Sequence, residues 1–345
     1  LIAAPDVEVL TMHHDPLSDV LRSVRLRGAV FYYVSFGDEW AAETPASPDL
    51  ARALMPGAEH VLAYHLIVRG AGWAATDGEP PVRLAQGDIV MFPRGDGHVI
   101  SSAPGMHAQE DRSDWRFTTR NDPKPIAVAY HRGVLRPGAA IPADEATSVV
   151  VCGFIACDLL PFNPLISSLP RLLHLASGGL GTWVAQLLDQ AVAESRESRA
   201  GSAAVLERVS EMVFVDAARR HLESLPSGAS GWFAALRDRH VGRAIHLMHE
   251  KPAHPWTIDE LGRESGLSRS ALHERFVELA GQPPMQYLTG WRMQLGAGLL
   301  RSSDTKVATI AQEVGYDSEA AFSRAFKRSV GQPPAAWRRK QRVGT

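Results

Sequence analysis

The stretch "SGLSRSALHERFVELAGQPP", Ser265 to Pro284, returns about fifty residues later as "VGYDSEAAFSRAFKRSVGQPP", Val314 to Pro334. A chain that repeats so short a segment builds one small unit twice, and the residue types say which unit. In the second copy Val307, Ile310, Ala311 and Val314 fall at i, i+3, i+4 and i+7, one apolar face of a short helix. Gly315 supplies the left-handed conformation that ends it. Asp317 or Ser318 caps the next helix, which turns Phe322, Ala325 and Phe326 inward and Glu319, Ala320, Ser323, Arg324 and Lys327 outward. The first copy has the same grammar. Thr257 and Glu260 form a T-x-x-E capping box. Leu261 lies on the apolar face, Gly266 ends the helix and Ser268 caps the next. Leu272, Phe276 and Leu279 point inward, leaving Ser270, His273, Glu274 and Arg275 on the open face. Aligning Gly266 with Gly315 gives an offset of 49, and aligning the two GQPP segments gives 50. The second copy therefore has one extra residue in or beside its turn.

Two short helices across a tight glycine turn make a helix-turn-helix unit. Its second helix can lie in the major groove of DNA. The connector "PPMQYLTGWRMQLGAGLLRSSD" carries Leu288, Trp291, Leu295 and Leu299 at helical spacing. A helix of about 17 residues there would be ~26 Å long, and successive major-groove faces lie ~34 Å apart. Gly296 and Gly298 oppose that helix by up to ~1 kcal/mol each, which burial of Trp291 and Leu295 offsets.

Charge divides along the chain. From Arg239 to the end there are 16 Lys/Arg and 10 Asp/Glu, a net of +6; the remainder has 20 and 28, a net of -8. A basic end on an acidic body points to a polyanionic partner for that end. Two cysteines, Cys152 and Cys157, make no disulfide framework and suit a reducing cytoplasm. No apolar run reaches the ~18–20 residues of a membrane span, and no basic-then-apolar leader is seen. The expectation is a cytoplasmic protein with no membrane partner.

Residues about 239–341 resemble the AraC-type transcriptional regulators. The resemblance rests on "SRSALHERF", the "GWRMQ" and "LL" of the connector, "IAQEVGYDSEAAFSRAFKRSVGQPP" and the following "AAWRR". It implies that both second helices enter consecutive major-groove segments on one face of double-stranded DNA. By motif position Ser270, His273 and Glu274 would face bases in the first head, and Glu319, Ala320, Ala321 and Arg324 in the second. Arg324 is the strongest base reader, since arginine binds guanine O6 and N7 bidentately. Glu274 stands where relatives often carry a basic residue. Arg243, Arg269, Lys327, Arg328, Arg338 and Arg339 are candidates for phosphate contacts, which position without reading sequence. The resemblance also implies a homodimer and RNA polymerase as a further partner.

The front half reads differently. "VFYYVSF", "AYHLIVRG", "GDIVMFP", "PIAVAYHRG" and "SVVVCGFIA" cluster β-branched and aromatic residues between turn residues. Short strands at such spacing predict a sandwich or barrel over residues 1 to about 160. "PLSDVLRSVRLRG" predicts one short helix ending at Gly28. Helical patterning is expected over about 164–222, with one stripe on Trp183, Leu187, Leu188 and Ala191. A second stripe takes Val205, Leu206, Val209, Met212, Val213 and Ala217. "ESLPSGASG" over 223–231 is a linker, and 232–345 is the DNA-binding domain.

"GDIVMFPRGDGH", Gly87 to His98, has the form G-x5-P-x-G-x2-H and resembles the second motif of cupin barrels. The first motif should supply two histidines and a glutamate, and "AYHLIVRG" keeps only His65. Ala63 stands in the other histidine's place, and Arg69 or Gly70 in the glutamate's. Residues about 8–222 thus look like a cupin sensor domain with trailing dimerisation helices, in an overall two-part fold with an all-α, double helix-turn-helix C-terminal part. His65, His98, Cys152 and Cys157 are the sensor-pocket candidates for a small-molecule or redox signal. No cofactor is expected. A zinc ion on His65, His98 and Cys152 has suitable ligand types, with His60, His107 and His131 as further donors. The alternatives are a metal-dependent cupin enzyme with a DNA-binding tail and a helical adaptor that binds protein. The eroded ligand set argues against the first, because a catalytic metal needs three or four ligands around an open position.

Overall fold

Why the front half closes on itself is visible in "HVLAYHLIVR". Alternate residues Val61, Ala63, His65 and Ile67 point to one side, where all four are buried. The computed structural model describes residues 15–37, 39–108, 126–131, 134–138, 141–142, 145–179, 186–187, 190, 193 and 200–343. Its strands are β1 (Arg27–Phe36), β2 (Ala41–Thr44), β3 (His60–Arg69), β4 (Gly72–Thr76), β5 (Val82–Leu84), β6 (Ile89–Phe92), β7 (His98–Ser101), β8 (Ile126–His131), β9 (Val134–Pro137), β10 (Ser148–Cys157) and β11 (Leu173–Leu175). Seven form one sheet in the order β11-β6-β3-β10-β1-β8-β9, and four form a second in the order β2-β7-β4-β5. β8 runs parallel to β1, and the other pairs are antiparallel. The core between the sheets holds Val34, Phe36, Trp40, Phe92, Ile100 and Phe154 among others. All five expected strand segments contain strands.

The helices are α1 (Pro16–Ser23), α2 (Ser47–Leu54), α3 (Pro164–Ser168), α4 (Ser202–Ser224), α5 (Trp232–Arg237), α6 (Arg239–Glu250), α7 (Ile258–Ser265), α8 (Arg269–Ala280), α9 (Pro284–Ser302), α10 (Val307–Glu313), α11 (Glu319–Val330) and α12 (Pro334–Val343). Helix α4 lies on the outside of β1 and β10. Two glycines admit it. A Cβ on Gly28 would meet the Glu207 backbone at 2.7 Å, and one on Gly153 would strike the Tyr64 ring, whose hydroxyl is 2.8 Å from Ser210 Oγ. The buried stripe of α4 is Leu206, Val209, Ser210, Val213, Phe214 and Ala217. Val205 and Met212, expected on that stripe, lie on the outer face, 40% and 42% exposed. The true stripe follows i, i+3, i+4, i+7, and 205 and 212 fall one position outside it. Of the other expected stripe, Leu187 is helical and half-buried. Trp183, Leu188 and Ala191 lie outside the described residues.

Two further expectations give way. The first helix stops at Ser23 rather than Gly28, because Arg25 takes a left-handed backbone (φ 40°) and Arg27 already opens β1. The stretch after 164 is not purely helical. Leu173–Leu175 adds an edge strand beside β6, too short for any periodicity to announce.

The chain divides into two compact units, Val24–Ser227 and Gly228–Val343, with α1 belonging to the second. In that helical unit Gln294 Nε2 donates to the Ser23 carbonyl (2.9 Å), and Asp19 Oδ2 lies 3.4 Å from His249 Nδ1. Helix α9 has 19 residues, ~28 Å at 1.5 Å per residue. Its first half buries Tyr287, Leu288 and Trp291, and its second half gives Met293, Ala297 and Leu300 to a core with Ile310, Phe322, Phe326 and Trp337. One rigid helix is thus shared by both repeats.

Candidate functional sites

Three of the four sensor candidates come together in the barrel. β3 and β10 pair with His65 opposite Cys152, and β7 brings His98 from the other sheet. Cys152 Sγ lies 3.0 Å from His65 Nδ1, His65 Nε2 lies 2.8 Å from His98 Nε2, and His98 Nδ1 lies 3.0 Å from the Asp96 carbonyl. The carbonyl can only accept, so His98 Nδ1–H donates to it. His98 Nε2 then accepts from His65 Nε2–H, and His65 Nδ1 accepts from the Cys152 thiol. The chain runs one way and every member is neutral. Burial enforces this. It pushes the Cys152 thiol up to about 12, His65 well below its usual range, and His98 down to about 4 against the opposing pull of Asp96.

This geometry does not suit the zinc site considered above. Cys152 and His98 approach opposite nitrogens of His65, so the three do not converge on one point. No group of three or more His, Cys, Asp or Glu able to hold a metal ion occurs among the described residues. His60 is bonded to Pro93 O and Ser47 Oγ, and His107 sits at the surface beside Glu43. The side chain of His131 lies outside the described residues. Cys157 is no pocket residue either. Five positions along a strand put it on the opposite face from Cys152, among different neighbours, with its thiol also pushed up by burial. Two thiols ~16 Å apart along one strand cannot bridge.

Beside the His65–Cys152 pair is a cavity of about 40 Å³, walled by Val34, Phe36, Ile100, Val128 and Phe154 among others. Its wall is aliphatic and aromatic apart from Tyr32, Thr44, His65 and Cys152.

In the helical unit the two repeats are built alike. Ser268 Oγ accepts from Ala271 N and Ser318 Oγ from Ala321 N, each at 3.2 Å. Gly266 (φ 78°) and Gly315 (φ 83°) take the left-handed turn. From Gly266 to Ser268 is two residues and from Gly315 to Ser318 three, so the extra residue lies in the turn. Thr257 caps α7 through Glu260 N, but the Glu260 side chain turns to His254 instead of closing the box. Leu272 and Phe276 in α8, and Phe322 and Phe326 in α11, are fully buried. Ser270, His273, Glu274, Glu319, Ala320 and Arg324 are exposed, and Ala321 is half-buried.

Residues 15–223 match the cupin family Cupin_6, and residues 261–340 match the helix-turn-helix domain family HTH_18. A Streptomyces antibioticus protein described as an AraC-like transcription regulator is 31% identical over 94% of this chain and 98% of its own length. The chain belongs to the AraC family of transcription regulators. The HTH-type transcriptional regulator AlkR of Acinetobacter baylyi is 27% identical over 94% of this chain and 99% of its own. Among solved structures, the DNA-binding domain of AdpA in complex with a target DNA is 27% identical and covers 31% of this chain and 96% of that one, with a TM-score of 0.30.

As an AraC-family DNA-binding regulator the chain is to be judged by which cations its heads leave open. Arg243, Lys327, Arg328 and Arg339 are exposed. Arg269 is exposed 3.6 Å from Asp259. Arg338, the remaining phosphate candidate, is half-buried and engaged within the unit. Its Nε donates to Leu300 O (3.1 Å) and its second nitrogen to Thr305 O (2.6 Å), so it fastens the loop after α9. Sequence reasoning also missed two structural arginines. Arg275, assigned to the open face of α8, binds Asp238 Oδ2 at 2.8 and 2.6 Å, while Asp238 Oδ1 caps α6. Arg292 donates to Pro252 O and His254 O, each at 2.7 Å. No local pattern distinguishes these from solvated cations, because their acceptors are distant in sequence.

Proposed function

We propose that this AraC-family regulator reads two neighbouring major-groove segments of double-stranded DNA with α8 and α11, as a homodimer, under the control of a small molecule taken up by its cupin barrel. The observation that carries the reading is the matched pair of heads, each with a serine cap, a left-handed glycine and an exposed outer face, on the one shared helix α9. The net charge of +6 beyond residue 239 supplies attraction for phosphate. Val205 and Met212, seven residues apart on the outer face of α4, offer a second copy an apolar edge. A small molecule fits the control role better than a redox signal. Cys152 is a buried thiol already donating to His65, and thiol reactivity needs thiolate character and access.

Hydroxyl-radical footprinting on a duplex selected from random DNA tests the DNA reading. Each helical unit should protect two patches about one helical turn apart on one face. A single short patch per unit overturns it. Control by a small molecule is tested by titrating the DNA complex with a metabolite library, and a library without effect on DNA affinity counts against it.

A further inference from the structure

Among the described residues, one hydroxyl on the cavity wall has no protein partner. His65 uses both ring nitrogens and Cys152 its thiol in the hydrogen-bonded chain. Thr44 is only 5% exposed, lines the cavity, and has no hydrogen-bond partner for its hydroxyl among the described residues. Its oxygen opens onto the accessible space that Thr44 lines, where a ligand atom can bond it.

Thr44 also lines a second, outer space. This groove of about 350 Å³ is flanked by Glu43, Asp77, His98 and His107. β2 and β7 pair with Thr44 opposite His98. Thr44 therefore lies where a small apolar chamber and a roomier, more polar groove meet, and it lines both. Among the described residues no lysine or arginine lines the outer groove, while two carboxylates do. The Glu43 carboxylate is held in place, accepting from Ala108 N at 3.1 Å beside His107 Nδ1 at 3.3 Å.

We propose that the effector is a small amphipathic amine, with a short hydrocarbon end in the inner cavity and an ammonium head that donates to the Thr44 hydroxyl on the side of Glu43 and Asp77. The proposal rests on the barrel's being a sensor and names the class of molecule sensed. The chemistry follows the two walls. The inner chamber, about 40 Å³, exceeds the ~10–15 Å³ that one water-sized group needs, so it takes a short hydrocarbon end. Its aromatic and aliphatic lining favours hydrocarbon over water. The outer carboxylates favour a cation and repel an acid of the same length.

Calorimetry on the full-length protein with n-butylamine, n-butanol and n-butyrate as probes tests this. Butylamine should bind saturably, butanol more weakly, and butyrate not at all. Thr44→Val, which keeps the shape and removes the hydroxyl, should weaken butylamine ~3- to 10-fold, the factor for one hydrogen bond. Thr44→Ser should restore it. Glu43→Gln should weaken butylamine by a similar factor and leave butanol unchanged. Butyrate binding as tightly as butylamine, or Thr44→Val binding like the parent with an unchanged melting temperature, overturns the proposal. Butylamine that binds without altering DNA affinity upholds the site and refutes sensing. Another compound that shifts DNA affinity while butylamine fails to bind refutes the amine and leaves sensing standing.

Discussion

A Cβ on Gly296 would lie 2.9 Å from two ring carbons of Phe322, so α9 approaches α11 as closely as it does only because residue 296 has no side chain. Phe322 is fully buried and has nowhere to withdraw. Gly298, two residues on, has nothing within 4 Å of its virtual Cβ. The two glycines that counted equally against the connector helix thus have opposite meanings.

Gly296→Ala gains up to ~1 kcal/mol of helix propensity but overpacks a filled core, which costs ~1–3 kcal/mol. The second head should be destabilised by about 1 kcal/mol, whereas Gly298→Ala should be stabilised by up to that amount. Urea midpoints of the two variants check this, and an equal gain in both would mean that Phe322 yields freely.

Arg324 is exposed in the middle of α11, whose first residues Glu319 and Ala320 are also exposed. Arg324→Ala should weaken specific DNA binding by about 1–3 kcal/mol and relax one base position. Lys327→Ala should leave sequence preference alone and make the salt dependence shallower by about one phosphate. Anisotropy titrations on specific and random duplexes at several salt concentrations separate the two. An equal loss on both duplexes would make Arg324 a phosphate contact.

Arg338 should behave as a structural residue. Its guanidinium meets the Leu300 and Thr305 carbonyls, and Arg338→Ala leaves both acceptors without it. A loss of about 1–3 kcal/mol is expected, seen as a lower melting temperature, with the salt slope of DNA binding unchanged. A shallower slope at full stability would return Arg338 to the phosphate contacts.

The buried histidine pair predicts how the barrel answers acid. In the unfolded chain each ring takes a proton near pH 6.5, whereas folded His98 does so at about 4 and His65 is also held low. A lowered folded pKa means that the unfolded chain binds more protons between those values. Stability is therefore complete above about pH 6.5 and falls as pH drops toward 4, by up to about 3 kcal/mol for His98 alone. Hydrogen exchange of β3 and β10 in the full chain, corrected for intrinsic rates, should show protection lost across that range and a gentler loss in His98→Gln. Protection that stays level from pH 7 to pH 4.5 would contradict the neutral pair.

The repeat, its caps and its turns were legible in the residues because their causes are local. Ser268 and Ser318 bond backbone groups three positions away, and Gly266 and Gly315 answer a backbone angle of their own. The loss of a ligand at Ala63 was legible only through the resemblance to the cupin motif, and the inward phase of β3 came with the fold. Only the folded chain decided the rest. His65 meets Cys152 across 87 positions and His98 across 33, so strand register chose which ring nitrogen each partner would reach and thereby turned a candidate metal cluster into a one-way proton chain. Arg338 and Gly296 received their roles in the same manner, from a carbonyl and a ring brought near by packing. Local chemistry writes the elements into the sequence. What a buried polar or small residue does depends on which distant neighbour the closing of the core sets against it.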